Sequence, residues 1–338
     1  MYAPCAKACL LDDRDVKTKL ARTVKFYNGV KVPIVGLGTA NLEAHITTRC
    51  IKDAIDAGIR HIDCAPIFCN QEEVGQAIKE KIAEGLIKRE QLYISSKLWD
   101  SRHGPKWVRR SLEETLKQLQ VDYLDNYVMH TPMGFKDGFE NYPRNNRGEI
   151  LFSDVDYVDT WRVMETLVDD GLVRSIGLAN FNEEQIVRLL GVARIPPANL
   201  QVECHPYLTQ TKLMDLCCNH NIIFMACNPT GPSKRHSNIV PLKSNPKILC
   251  LVKKYGKNTA EILIRYQVQR GNVVLPRTTQ KDHMIQNVMI ESFKLCPKDF
   301  EMLELMNCNF RNNTLAYYKN YFSSASGHTH HPFENDCL

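Results

Sequence analysis

Gly58-Ile59-Arg60-His61-Ile62-Asp63-Cys64-Ala65-Pro66-Ile67-Phe68-Cys69-Asn70-Gln71-Glu72-Glu73-Val74-Gly75 holds one turn of the whole fold. The apolar run Arg60–Ala65 has strand character and stops at Pro66. Helical spacing takes over at Glu72 and continues to Ile82. Read outward, the same couple recurs from about Lys31 to Asn287, with short β-branched runs alternating with longer amphipathic segments. The candidate strands are Pro33–Gly38, Arg60–Ala65, Gln91–Trp99, Tyr123–His130, Ser175–Phe181, Leu200–Pro206, Ile222–Asn228 and Asn272–Pro276. Strands separated by helices form a parallel sheet, and eight of them close into an α/β single (β/α)8 TIM barrel.

The helices are read from their apolar faces. Thr47–Ala57 presents Ile51, Ala54 and Ile55 together, and Trp107–Leu119 presents Val108, Leu112, Leu116 and Leu119. Glu72–Ile82, Asp159–Asp169, Glu183–Leu190, Asn258–Gln269 and Lys281–Ile290 follow the same rule. Ahead of the barrel, Val24–Val32 reads as a β-hairpin turned at Asn28-Gly29, an N-terminal plug for the bottom. Two long loops, Thr131–Ser153 and Thr230–Ser244, follow the fourth and seventh strands. Both belong to the C-terminal face, where barrels build their sites, and the stretch from Arg311 onward is expected to lie over that face too. No repeat or interdomain linker divides the chain. Residues 1–22 read as a flexible N-terminal extension, and 23–338 as one barrel domain including its C-terminal loop.

Composition narrows the class. With 338 residues, 43% of them hydrophobic, the chain can bury a large core as one domain. Its net charge of +5 comes from scattered rather than clustered basic residues, which argues against nucleic acid and weakly for anionic small ligands. No apolar run is long enough to span a bilayer, so no membrane partner is expected. Charges such as Lys7, Asp12 and Arg14 break any secretory signal in the first residues. Thirteen cysteines without paired spacing read as reduced thiols of a cytoplasmic protein. The tail residues His328, His330, His331 and Cys337 have the chemistry to take up a metal adventitiously, but no metal site is assigned.

Chemistry belongs at the C-terminal ends of the strands. Those positions carry Asp63, Lys97, His130, Asn180 and Gln201, with Cys227-Asn228 and Arg277-Thr278 further round. Singly, each has a plain structural explanation: a turn cap, a solvated strand end, a loop histidine. An acid, a base and an imidazole at three consecutive strand ends point to a site.

Seven segments in order carry a resemblance to the aldo-keto reductases, from roughly Val24 to Pro332. They are Val35-Gly36-Leu37-Gly38-Thr39, the Asp63 stretch, Ile94–Trp99, Val128–Gly134, Ser175–Asn182, Gln201–Tyr207 and Val273–Thr278. The resemblance implies an NADPH-dependent oxidoreductase that passes hydride to an aldehyde or ketone while a tyrosine hydroxyl protonates the oxygen. It assigns Asp63, Lys97 and His130 to catalysis and puts Phe68 at the tyrosine position. No tyrosine lies between Tyr27 and Tyr93 to replace it.

For the cofactor, NADPH/NADP+, the resemblance implies Gly38, Thr39, Asp63, Cys227 and Asn228 around the nicotinamide, with Asn180 and Gln201 on its carboxamide. Arg277, Thr278 and His283 take the 2′-phosphate, and Gln286 and Asn287 the adenine. Substrate-pocket positions are Ala40, Trp99 and Thr131; relatives carry tryptophan at Ala40 and Thr131 and tyrosine at Cys227, so a wider, less aromatic pocket is expected. Lys234 stands where several relatives have an acidic latch. A monomer with a small carbonyl substrate follows. The competing reading is an NADPH-binding pseudoenzyme that senses the nucleotide or serves as a partner protein. A phosphate-binding barrel of other chemistry is what the strand-helix pattern alone permits.

Overall fold

The computed structural model describes residues 22–232, 239–315 and 328–333. The extension up to residue 21, Lys234 and Cys337 lie outside the described residues. Two short antiparallel strands come first, β1 (Thr23–Lys25) and β2 (Lys31–Pro33). Gly29, at φ +87°, makes the turn between them, as the Asn28-Gly29 pair requires. Val24, Phe26 and Val32 of this hairpin are buried, and Phe26 stands edge-on to Tyr93 with ring centres 6.2 Å apart. The plug expected from the sequence is therefore in place.

Eight parallel strands follow: β3 (Leu37–Gly38), β4 (His61–Asp63), β5 (Tyr93–Leu98), β6 (Asn126–Met129), β7 (Ile176–Ala179), β8 (Asn199–Glu203), β9 (Ile223–Cys227) and β10 (Val273–Leu275). Seven lie inside the runs read from the sequence, and β8 starts one residue before its run, at Asn199. Their order in the sheet is their order in the chain. The ring closes where Gly36 N–H donates to Val274 O (2.9 Å) and Gly38 N–H to Pro276 O (3.0 Å). Closure leaves no sheet edge, and the result is a (β/α)8 barrel.

Helices cover the outside. They are α1 (Ala44–Asp56), α2 (Gln71–Ala83), α3 (Pro105–Leu119), α4 (Tyr157–Asp169), α5 (Glu183–Leu190), α6 (Thr211–Asn219), α7 (Pro246–Tyr255), α8 (Thr259–Gln269), α9 (Lys281–Val288) and α10 (Pro297–Glu304). α1 buries Thr47, Cys50, Ile51, Ala54 and Ile55, the periodic face the sequence shows. α5 and α8 begin with reciprocal capping boxes, Asn182 with Gln185 and Asn258 with Glu261. α6, α7 and α10 were not anticipated from apolar spacing. α6 buries only Leu213 and Cys217, and α7 only Ile248 and Leu251, so neither presents a broad apolar stripe.

The loop between β6 and α4 folds on itself, pairing Phe135 with Phe152 and Arg144 with Ile150. It joins Trp99, Met133, Leu315 and Phe333 in a cluster at the C-terminal face. The described residues after Arg311 thus lie where the sequence placed them. Nine of the described cysteines are free thiols, as expected, but Cys218 is disulfide-bonded and departs from that reading. Among the described residues, no helix is long and apolar enough to cross a membrane.

Candidate active site

Parallel register decides which side chains meet. Asp63 pairs with Ser95 across β4 and β5, and Lys97 lies two residues further toward the mouth on the same face. Lys97 Nζ donates to Asp63 Oδ2 at 2.6 Å and to Cys64 O at 2.9 Å. Ser95 Oγ donates to Asp63 Oδ1 at 2.7 Å, and Gln201 Nε2 to the same oxygen at 3.1 Å. Both charged groups are buried, Asp63 at 5% and Lys97 at 4% exposure. Burial alone would raise the Asp63 pKa. The Lys97 charge and the hydrogen bonds from Lys97 and Ser95 outweigh it and hold the carboxyl below its ordinary value.

Position 68 joins this pair. Phe68 ends a short 3₁₀ turn, Pro66–Phe68, which is closed by Cys69 at φ +53°. Asn70 fixes the turn by donating to Thr39 O (2.9 Å) and Leu42 O (3.0 Å). The Phe68 ring centre lies 5.5 Å from Lys97 Nζ and 6.3 Å from the His130 ring. His130 also stands edge-on to Trp99 at 5.1 Å, and its Nδ1 has no partner. Burial, helped by the Lys97 charge, pushes the His130 pKa down to about 3, so the imidazole is neutral. Ala40 lies at the start of the following loop, partly exposed. Thr131 is buried, and its hydroxyl accepts from Met133 N–H (3.1 Å), so it shapes the loop rather than facing open space.

Round the rest of the mouth, Thr39 N–H and Oγ1 both donate to Asp63 O (3.1 and 3.0 Å). Gly38 packs against Leu275, whose carbonyl a Cβ at this position would meet at 3.4 Å, an ordinary contact. Asn180, at φ +59°, donates from Nδ2 to His130 O (2.9 Å). Gln201 Oε1 is buried without a partner. Cys227 ends β9, its thiol pushed up to about 12 by burial and then by Asp63. Asn228 donates to Glu203 Oε1 (3.0 Å), which also bonds His205 (3.1 Å), while Glu203 Oε2 accepts Asn313 N–H (2.7 Å).

A separate cavity of about 300 Å³ opens between α8, α9 and the loop after β9. Its walls include Arg277, Thr278, His283, Gln286, Asn287 and Lys243. Three of these carry or can carry positive charge, and among the described residues no acidic side chain lines the cavity. His283 Nδ1 lies 3.3 Å from Thr278 Oγ1, and Arg277 Nη1 donates to Asn41 O at 3.1 Å. Asn258 Nδ2 donates to Gln286 Oε1 (2.8 Å), fixing that amide. The site residues read from the sequence thus fall into two linked groups, the mouth and this cavity. Lys243, Ser95 and the Glu203–His205 pair were missed. Ser95 is two residues before Lys97, so strand alternation could have found it.

Residues 35–307 match the model of the Aldo/keto reductase family. The chain belongs to the aldo/keto reductase family. It is 40% identical over 295 residues to mouse Aldo-keto reductase family 1 member A1, covering 86% of this chain and 91% of that protein. It is 38% identical over 322 residues to mouse Aldo-keto reductase family 1 member D1, covering 93% and 97%. Among solved structures, the aldose reductase from Schistosoma japonicum superposes with a TM-score of 0.85 at 35% identity, covering 93% of this chain and 99% of that one. For an aldo/keto reductase, the mouth described above lies where the fold places its chemistry, at the C-terminal ends of the strands.

Proposed function

We propose that this aldo/keto reductase binds NADPH across the barrel mouth and reduces an aldehyde or ketone, with a rate limited by Phe68. The observation that carries the reading is the cavity's charge: Arg277, Lys243 and His283, with no acidic side chain among the described lining residues, suit a phosphomonoester dianion. The mouth fits the other end of the cofactor. Gln201 Oε1 is a buried acceptor without a donor, a position that a carboxamide N–H satisfies, and Asn180 stands beside it.

NADPH, when bound, supplies the hydride. The chain's own groups orient the carbonyl and handle the proton. His130 is neutral, so its one ring N–H can donate to the carbonyl oxygen and position it, but it is too weak an acid to protonate that oxygen at neutral pH. Lys97 spends two N–H groups on Asp63 and Cys64 O, and its ammonium faces the Phe68 ring. A hydroxyl at position 68 would have bridged Lys97 and the substrate oxygen. Its loss removes a general acid worth about 10²–10⁴ in rate and an oxyanion donor worth about 10²–10³ where the two are separable. Protonation then falls to a water or to Lys97 itself.

A second reading, an NADPH-binding pseudoenzyme, is favoured by the same ring together with Cys227, which offers no aromatic face to a nicotinamide. Both readings need the phosphate cavity. Fluorescence quenching titrations give the NADPH and NADH dissociation constants directly. Tighter NADPH is the expected result; equal constants overturn the phosphate assignment. A cytoplasmic monomer is the setting we infer, from the family and the composition.

A further inference from the structure

Residues 328–333 lie against the barrel mouth, and their histidines hold them there. The His328 ring stands edge-on to Phe152 with centres 4.8 Å apart, and His330 to Tyr157 at 5.0 Å. Inside the segment, His328 Nδ1 accepts the His330 N–H at 3.0 Å, and His331 Nδ1 accepts the Phe333 N–H at 3.3 Å. The capping side chains of α5 reach out to its backbone: Gln185 Nε2 donates to His330 O (3.0 Å) and Asn182 Nδ2 to Pro332 O (3.4 Å). Phe333 is thereby seated in the cluster with Trp99, Met133 and Phe135, and Trp99 in turn contacts His130.

A ring nitrogen that accepts an N–H has no room for a proton of its own. Protonating His328 at Nδ1 sets hydrogen against hydrogen and breaks the turn. The surroundings oppose that proton too. His330 and His331 disfavour it from the same segment, while Asp154 and the Ser153 backbone favour it from the loop. Beneath lies His103, fully buried with both ring nitrogens unpartnered, and its pKa is lowered first by burial and then by His328 and His330. His330 itself faces Asp156 at the start of α4 and Arg188 on α5.

We propose that residues 328–333 form a proton-operated latch on the barrel mouth, closed while His328 is neutral and released when its imidazole is protonated. Release would uncover the wall formed by Phe333 beside Trp99, so substrate access would widen in acid. The latch does not depend on the cofactor reading.

Docking lowers the His328 pKa to about 4, chiefly through burial and then His330. An undocked imidazole titrates near 6.5. Because the docked form disfavours the proton, the latch is at full strength above about pH 6.5 and weakens as pH falls toward 4. At about pH 5.5 these two values give a docking equilibrium about tenfold weaker than at neutral pH.

Hydrogen exchange at the backbone amides of 328–333, in the full chain and corrected for the intrinsic pH dependence, tests this at about pH 7.5 and about pH 5.5. The expected result is about tenfold less protection at the lower pH, with the barrel strands unchanged. His328→Asn keeps an acceptor at the Nδ1 position and does not titrate there, so its loss of protection between the two pH values should be clearly smaller than the native chain's, with His330 and His331 left to account for what remains. Equal protection of the native chain at both pH values overturns the latch, as does a His328→Asn variant that loses protection like the native chain. If His328→Asn fails to dock at all, ring-proton NMR of the native chain decides. Titration of His328 well below 6.5 supports the latch, and titration at the ordinary value overturns it.

Discussion

Lys97 and Asp63 share a 2.6 Å hydrogen bond out of reach of solvent, so neither can be changed alone without consequence. Lys97→Met leaves Asp63 with Ser95 and Gln201 and no counter-charge, a change that costs about 3–5 kcal/mol, seen as a lower urea midpoint. The pH dependence follows from the depressed Asp63 pKa. That pair adds stability above the ordinary carboxylate value of about 3.9, and the contribution is lost as pH falls through the lower folded value. In Lys97→Met the loss should begin at higher pH, because burial is then opposed mainly by the Ser95 hydrogen bond rather than by a counter-charge. In the cavity proposed to take the 2′-phosphate, Arg277→Ala removes a charged donor worth about 1.5–3 kcal/mol, so NADPH should bind about 10- to 100-fold more weakly. NADH binding should hardly change, and a similar loss for both would refute the role. Asp63, Lys97 and His130 were legible because charge at consecutive strand ends is a sharp signal. Ser95 was within reach by alternation from Lys97 but was not singled out, and Lys243 was not legible, since a lysine between strand and helix looks ordinary until the barrel closes around it.

At the scale of elements, α2 and α3 approach so closely at Gly75 that a Cβ there would lie 2.5 Å from Gln118 O. A backbone carbonyl cannot swing aside as a flexible side chain can. Gly75→Ala should therefore force the helices apart at a cost of about 1–3 kcal/mol, measured by chemical denaturation; an unchanged midpoint would show that the pair has slack. All eight barrel strands and seven of the helices could be read from periodicity. α7 announces itself differently, by Asn245 accepting from Lys247 N–H, Pro246 in its first turn and Gly256 at φ +62° after its end. Those punctuation residues carry the helix signal where its apolar face is narrow.

At the scale of the molecule, closure of the barrel brings residues as far apart as Asp63, Gln201 and Lys97 within hydrogen-bonding reach. On the reading proposed above, the cationic cavity, the neutral imidazole and the buried ion pair form one apparatus that lacks a hydroxyl where Phe68 stands. The order of βα units made that architecture readable. The self-pairing of the loop before α4 and the particular contacts that hold 328–333 were not readable, although the place of that segment over the C-terminal face was, because such contacts join segments far apart in the chain. The most direct test is single-turnover oxidation of bound NADPH by a panel of aldehydes and ketones, comparing the native chain with Phe68→Tyr. The expected result is slow oxidation by the native chain and a gain of about 10²–10⁴ in the variant. A Phe68→Tyr variant that binds NADPH as tightly yet oxidises it no faster would contradict the assignment of position 68 as the missing proton donor.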